Sequence, residues 1–363
     1  MRIPPPRSDR GIALIIVMLV IIVLSVLAGG FAYSMKVETK LARNTSYESD
    51  MEWLGRSGVE LGKYALAMQM SAPPPDNMYF SLQQPWAGGP PNPTNEAVNV
   101  QLKDVELGNG KINVTIQDLE RKYNISAINE ANPGVLERAL MMVGADSGDI
   151  PTIIDSYFDW IDNDGKKTHL AGAENPDYLA MFPPYYAKNG PIDDIRELLL
   201  IKGMNEQIFW GTTRVGEKLD RPGKGGGPPP MRRSMSPYLQ QMPQPSGVGL
   251  VDLFVPFHGA GAMININTAS AEVMELIQGI DPSLANGIVS ARNDAPFHTP
   301  AEGLMAAGAD PVMVNVLASA FTVRSRVFEI TVDAEIGTYK RRFVSLVDCR
   351  SARDVITLTF TWK

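Results

Sequence analysis

The spacing of apolar positions changes character several times along the chain. From Gly11 to Met35 no side chain is charged, and IALIIVMLVIIVLSVLAGGFAY is a continuous apolar run. A helix needs about 20 such residues to cross the hydrocarbon core of a bilayer, so this run predicts one membrane span. Beyond it Val37, Leu41, Met51, Leu54, Val59, Leu61, Tyr64 and Leu66 recur at helical spacing, and the first proline is Pro73. The helix is therefore expected to continue into water as an amphipathic stalk whose apolar face runs from Val37 to Leu66.

Residues 71–95 are crowded with Pro, Gly and Asn and read as surface loop, with Trp86 tucked against the head. Next, Val98, Val100 and Leu102 alternate with polar residues, Gly108-Asn109-Gly110 turns the chain, and Ile112, Val114 and Ile116 alternate again, which predicts a β-hairpin. Strand character returns only in RVFEITVDAEI, in TYKRRFVSLVDC after the turn at Gly337, and in VITLTFTWK. The middle region reads as helical in PGVLERALMMVG, IPTIIDSYFDWID, IDDIRELLLIKGM, ASAEVMELIQG and PSLANGIVSARND. The expected class is α+β: a long N-terminal helix, an antiparallel sheet, and a large α-domain inserted in the sheet. A low-complexity, locally basic stretch at 221–249 is expected to be a mobile loop that splits the α-domain into two lobes.

Charge changes this picture in two ways. Arg2, Arg7 and Arg10 precede the span with one acid, Asp9, so the N-terminus should stay cytoplasmic and the bulk of the chain should lie across the membrane. A cleaved secretory signal, with Ser25–Gly30 as its end, is the competing reading. Over 363 residues, 33 Lys plus Arg against 40 Asp plus Glu give a net charge of -7, which opposes broad nucleic-acid binding. A single cysteine, Cys349, excludes an internal disulfide and a thiolate zinc site, and three histidines leave little for a His-rich centre.

Two motifs carry candidate chemistry. From Ile264 to about Ala320 the phrase ININTASAEV, a Gly turn, a helix with Arg292 and then Pro-Phe resembles a helix-hairpin-helix or SAM-like unit. DNA-binding versions turn on Gly-hydrophobic-Gly, whereas here the turn is Gly279-Ile280-Asp281, and the acid opposes a phosphate. In DSYFDWIDNDG the carboxylates Asp155, Asp159 and Asp162 fall on one helical face and Asp164 follows, while GAENPDYL supplies Glu174, Asn175 and Asp177. A hard cation with oxygen ligands, Ca2+ outside the cytoplasm, would relieve their repulsion; a solvated acidic helix end is the plain alternative. The spacing is not that of an EF-hand. Paired acids could also serve a hydrolase, but no phosphate loop, nucleophile elbow or catalytic cysteine pair accompanies them, so no enzyme is expected.

A short basic leader ending in Gly before an apolar helix resembles the type IV prepilin class. That resemblance implies cleavage between Gly11 and Ile12 by a prepilin peptidase and N-methylation of Ile12. The family usually has Glu at the fifth mature position, where this chain has Ile16; without the carboxylate that neutralises a neighbour's amino terminus, the subunit suits the end of a fibre. This start, followed by QPWA, a hairpin, DWIDNDG with GAENPDY, PYYAKNGPIDDIRELLLIKGM, ININTASAEV and terminal strands, resembles the K-type minor pseudopilins of type II (general) secretion over nearly the whole chain.

The resemblance implies a pilin-like fold divided into leader (1–11), transmembrane and stalk helix (12–70), loop and hairpin (71–120), inserted α-domain (121–322) and C-terminal strands (323–363). It implies a tip position on a periplasmic pseudopilus anchored in the inner membrane, with the minor pseudopilins GspI and GspJ and then the major pseudopilin as partners. Exported folded proteins are the implied cargo, and nucleic acid is not a partner. A Ca2+ role in the α-domain falls on Asp159, Asp162, Asp164, Glu174 and Asp177. The other class left open is a membrane-anchored helix-hairpin-helix DNA-binding protein of a competence or type IV pilus system.

Overall fold

Helix α1 (Arg10–Met70) changes its surroundings part-way along. In the computed structural model, which describes residues 10–211, 247–257 and 261–362, its hydrophobic side chains from Leu14 to Leu41 are exposed. Its most apolar 18-residue stretch has a mean hydropathy of 3.0 and none of it is buried, as an anchor in lipid requires. From Met51 to Leu66 the same helix buries Met51, Leu54, Val59, Ala65 and Leu66. The residues that precede Arg10, including Arg2, Arg7 and Asp9, lie outside the described residues.

That buried stripe lies on one antiparallel sheet. Its strands are β1 (Val105–Leu107), β2 (Gly110–Asp118), β7 (Val327–Ile336), β8 (Tyr339–Ser351) and β9 (Asp354–Trp362), in that spatial order. Strand alternation puts Ile112, Val114 and Ile116 of β2, and Phe328, Ile330 and Val332 of β7, on one inner face under α1. Gly55, Gly58 and Gly62 let α1 come close: a Cβ at Gly58 would stand 2.5 Å from Val332 Cγ1, and one at Gly55 2.6 Å from the Phe343 ring. Trp86 is buried in the same core, edge-on to Phe80 and Phe328.

The architecture is thus α+β, with an apolar N-terminal helix and an antiparallel sheet, and a long segment separates β2 from β7. Three local expectations need correction. The first hairpin strand is short: residues 96–98 form a 3-10 turn, although Val98 and Leu102 are buried and the Leu102 carbonyl accepts from Val114 N. Their alternation reflected burial against the sheet, without a ladder. The stalk buries less than its period suggested: Val37, Leu41 and Tyr64 are exposed, as is Trp53, and contact with the sheet begins at Tyr47 and Glu48, with full burial from Met51.

The third correction concerns the middle. Helices α2 (Gly134–Met142), α3 (Ile150–Ile161), α4 (Asn175–Leu179) and α5 (Glu206–Trp210) precede the 221–249 stretch. After it come α6 (Leu250–Leu253), α7 (Ala271–Met274), α8 (Pro282–Asp294), α9 (Pro300–Ala306) and α10 (Pro311–Leu317). These do not form two separate lobes: one hydrophobic core runs through both sets, from Leu136, Ile153 and Phe209 to Leu253, Val273 and Leu304. Two short parallel ladders stitch it, β3 (Tyr123–Asn124) with β4 (Phe254–Val255) and β5 (Ile264–Asn265) with β6 (Phe321–Thr322). The phrase PIDDIRELLLIKGM forms a 3-10 turn at Ile195–Leu200 rather than an α-helix.

Most of the 221–249 stretch lies outside the described residues. Its last residues are packed, however: Gly249 sits so close to Phe209–Gly211 that a Cβ would meet backbone atoms. Gly211 is equally tight against Gly247–Gly249, with φ +78, so the chain leaves and re-enters the core at one point.

Candidate metal centre

Helix α3 ends where its hydrophobic face meets the acids. Asp159 lies in the last turn and is completely buried, Asp162 is the C-cap, and the loop that follows returns to Glu174, the N-cap of α4. One carboxylate oxygen from each of Asp159, Asp162 and Glu174 can be chosen so that all lie within 4.8 Å of one another. Trp160, next to Asp159, packs edge-on against Tyr178 and Tyr185, which are tilted against each other.

The loop is held by its own polar groups. Thr168 N donates to Asp159 Oδ1 at 2.9 Å, and the Thr168 hydroxyl donates to Asp162 Oδ2 at 3.3 Å. Asp164 N donates to Asp162 Oδ1, and Lys166 N to Asp164 Oδ1, two successive Asx turns. Gly172 lies against Asp159, and a Cβ there would overlap Asp159 Oδ2.

Among the described residues, Asp159 Oδ2 and both Glu174 oxygens are buried without a hydrogen-bond donor. Leaving a buried carboxylate oxygen unpaired is costly. Burial pushes the Asp159 and Glu174 carboxyls above the usual range, and the charge of Asp162 adds to the rise at both. Converging carboxylate oxygens with no donors fit a hard cation such as Ca2+. Trp160 Nε1, also buried without a partner, is a donor and offers such an ion nothing.

The five acids expected at this site divide. Asp159, Asp162 and Glu174 converge. Asp177 turns away: it accepts from Glu174 N at 3.1 Å and pairs with Lys167 at 2.8 Å and Lys202 at 3.5 Å. Burial alone would raise its pKa, but the hydrogen bond and charge of Lys167, aided by Lys202, hold it below the usual range. Asp164 is exposed and serves the turn, and Asp155 stands outside the cluster. Asn175, named as an oxygen donor, instead accepts from Ala187 N.

Sequence reading missed Gly172 and Asn189. Asn189 has φ +47, donates from Nδ2 to the Asp164 carbonyl at 2.8 Å, and leaves Oδ1 buried without a donor. The dipeptide Asn189-Gly190 was the available signal for a left-handed turn there. Gly11 and Ile12 fall within α1, and Ile16 is exposed on its apolar half.

In the helix-hairpin-helix segment the acid of the turn and the nearby base are both engaged within the fold. Asp281 caps α8 by accepting from Leu284 N at 2.8 Å, and Ile280 is buried. Arg292 is buried and donates to the Ile266 and Ala269 carbonyls, so its charge is used internally.

Residues 110–211 match the family model described as type II secretion system (T2SS), protein K, and residues 259–305 match a helix-hairpin-helix motif. The type II secretion system protein K of Pseudomonas aeruginosa is 23% identical over 93% of this chain and 88% of its own length. That of Klebsiella pneumoniae is 27% identical over 56% of this chain and 60% of its own length, so the match spans three-fifths of that relative. The crystal structure of the GspK-GspI-GspJ complex from the enterotoxigenic Escherichia coli type 2 secretion system contains a chain with the same fold. The TM-score is 0.63 at 18% identity, covering 89% of this chain and 99% of that one. In sequence the chain is thus similar to the type II secretion system K proteins, and in fold to a chain of the GspK-GspI-GspJ complex.

Proposed function

We propose that this chain is the minor pseudopilin that caps and starts the periplasmic pseudopilus of a type II secretion system. The observation that carries the reading is the division of α1, whose exposed apolar half suits a bilayer while its far half is built into the sheet beneath a large inserted domain. A prepilin peptidase cuts between Gly11 and Ile12 and the new terminus is methylated. The subunit stays in the inner membrane with the sheet and inserted domain in the periplasm. GspI and GspJ pack beside its stalk and the major pseudopilin follows below.

Two features favour the tip. Ile16 offers no carboxylate to the amino terminus of a neighbouring subunit, and the inserted domain obstructs a copy stacked above it. The resulting fibre pushes folded exoproteins through the outer membrane, and the chain has no catalytic part in this. Ca2+ held by Asp159, Asp162 and Glu174 joins the end of α3 to the start of α4, which steadies the inserted domain against shear.

Mass spectrometry of the mature protein tests the class: N-methyl-Ile12 supports it, while an intact Met1 or a cut near Gly29 removes it. Deletion with complementation tests the role. Exoproteins should accumulate in the periplasm without the chain and leave once it is restored; normal export in the deletion strain overturns the proposal.

A further inference from the structure

The sheet and the inserted segment are joined at two crossings, and both meet at one pair of acids. The chain leaves β2 at Asp118 and returns through Ser325 and Arg326 to β7. Asp118 is fully buried; its Oδ2 accepts from Ser325 Oγ at 2.7 Å, Thr268 Oγ1 at 2.6 Å and Asn265 Nδ2 at 3.1 Å, and its Oδ1 from Glu120 N. Glu120, 8% exposed, accepts from Arg326 N at 3.1 Å through its carboxylate and from Asn265 N at 2.8 Å through its backbone carbonyl. Outgoing strand, returning strand and the ININT phrase are thereby tied at adjacent carboxylates.

We propose that Asp118 and Glu120 form a proton-operated latch that fixes the inserted domain to the sheet in acid and loosens it toward neutral pH. Asp118 has four donors, which favour its ionised form and offset part of the rise that full burial gives its carboxyl. Glu120 has only backbone donors, so a second buried charge beside Asp118 is unfavourable. The groups that face it are Asp118 from β2, Arg326 from the returning strand and Cys349 from β8. Arg326 is itself engaged by both oxygens of Asp348 at 3.1 Å, and the charges of Asp348 and of Lys63 from α1 also act on Cys349. Burial, with the Asp118 charge adding to it, pushes Glu120 from 4.5 up to about 7. The folded junction thus keeps a proton that the unfolded chain releases near 4.5, so its stability falls as pH rises from about 4.5 to 7 and is level above that.

Hydrogen exchange on the full-length chain in detergent, with rates divided by intrinsic rates at each pH, tests the latch. Between pH 5.5 and pH 8 the protection of the Asn265 and Arg326 amides should fall at least tenfold, each pKa unit being a factor of ten. The Val332 amide, in mid-sheet, should keep its protection. Glu120→Gln should abolish the fall, and Asp118→Asn should move it to lower pH by removing the neighbouring charge. Flat protection in the wild-type chain, an equal loss at Val332, or an unchanged fall in Glu120→Gln overturns the proposal.

Discussion

Gly172 and Asp159 are in direct van der Waals contact, and the contact leaves no room for a side chain at position 172. The loop from Asn163 to Ala173 therefore closes over a completely buried carboxylate only because Gly is there. Gly172→Ala should displace Asp159, with an overpacking cost of about 1–3 kcal/mol in the metal-free protein. The larger effect should be on cation response. A ligand at a hundredfold its Kd stabilises by about 2.7 kcal/mol, and most of that gain should vanish in the variant. Thermal unfolding with Ca2+ and with a chelator measures both.

Glu174→Gln separates a cation site from an acidic structural cluster. Both Glu174 oxygens are buried without donors, so removing the charge lowers like-charge repulsion with Asp159 and Asp162. The metal-free variant should melt at or above the wild-type temperature and lose its Ca2+-induced rise. A rise equal to that of the wild type would show that the three acids hold no ion.

Proton competition gives the same site a pH signature. The Asp159 and Glu174 carboxyls are raised by burial, so binding a cation must expel protons that ordinary carboxylates would already have lost by about pH 5. Ca2+ affinity should rise with pH and level off only above that point. Calorimetry in two buffers of different ionisation enthalpy would read the protons released.

Arg292 was the one base near the helix-hairpin-helix turn, and its surroundings decide between a surface and an internal role. Burial pulls its pKa down to about 10, which still leaves it cationic at neutral pH, and two backbone carbonyls use that charge. Arg292→Met should cost about 1.5–3 kcal/mol of stability. DNA retention at low salt should be as weak as before; a selective loss of retention would revive the nucleic-acid reading.

Periodicity and composition exposed what is set locally. The apolar run before Met35, the alternation of Ile112, Val114 and Ile116, and the Gly108 and Gly337 turns with φ +57 and +58 each follow from adjacent residues. Contacts between distant residues left no such trace. The β3–β4 ladder and the Asn265–Asp118 bond join partners more than a hundred residues apart, and the single core across 221–249 and the β5–β6 ladder also join segments remote in sequence. At the acidic cluster, composition named the acids, but the choice of Asp159, Asp162 and Glu174 over Asp177 turned on Lys167 and Lys202. No spacing rule encodes that competition.

The glycines of α1 carry a last, quantitative test. Glycine costs a helix about 1 kcal/mol relative to Ala, so Gly55, Gly58 and Gly62 weaken α1 unless packing compensates. Each lies where a Cβ would run into the sheet: against Phe343, Val332 and Ile330 respectively, at 2.6, 2.5 and 2.9 Å. Gly29 and Gly30, in the exposed apolar half, meet nothing within 4 Å. Gly58→Val should therefore lift α1 off β7 and destabilise the sheet by roughly 1–3 kcal/mol. Gly30→Ala, at an open helical position, should leave head stability unchanged within about 0.5 kcal/mol. Denaturant-dependent hydrogen exchange of the full chain in micelles, read at the Val332 amide in mid-sheet, reports on the sheet core directly. Equal effects of the two substitutions would mean that helix propensity, rather than close approach to Val332, sets the role of Gly58.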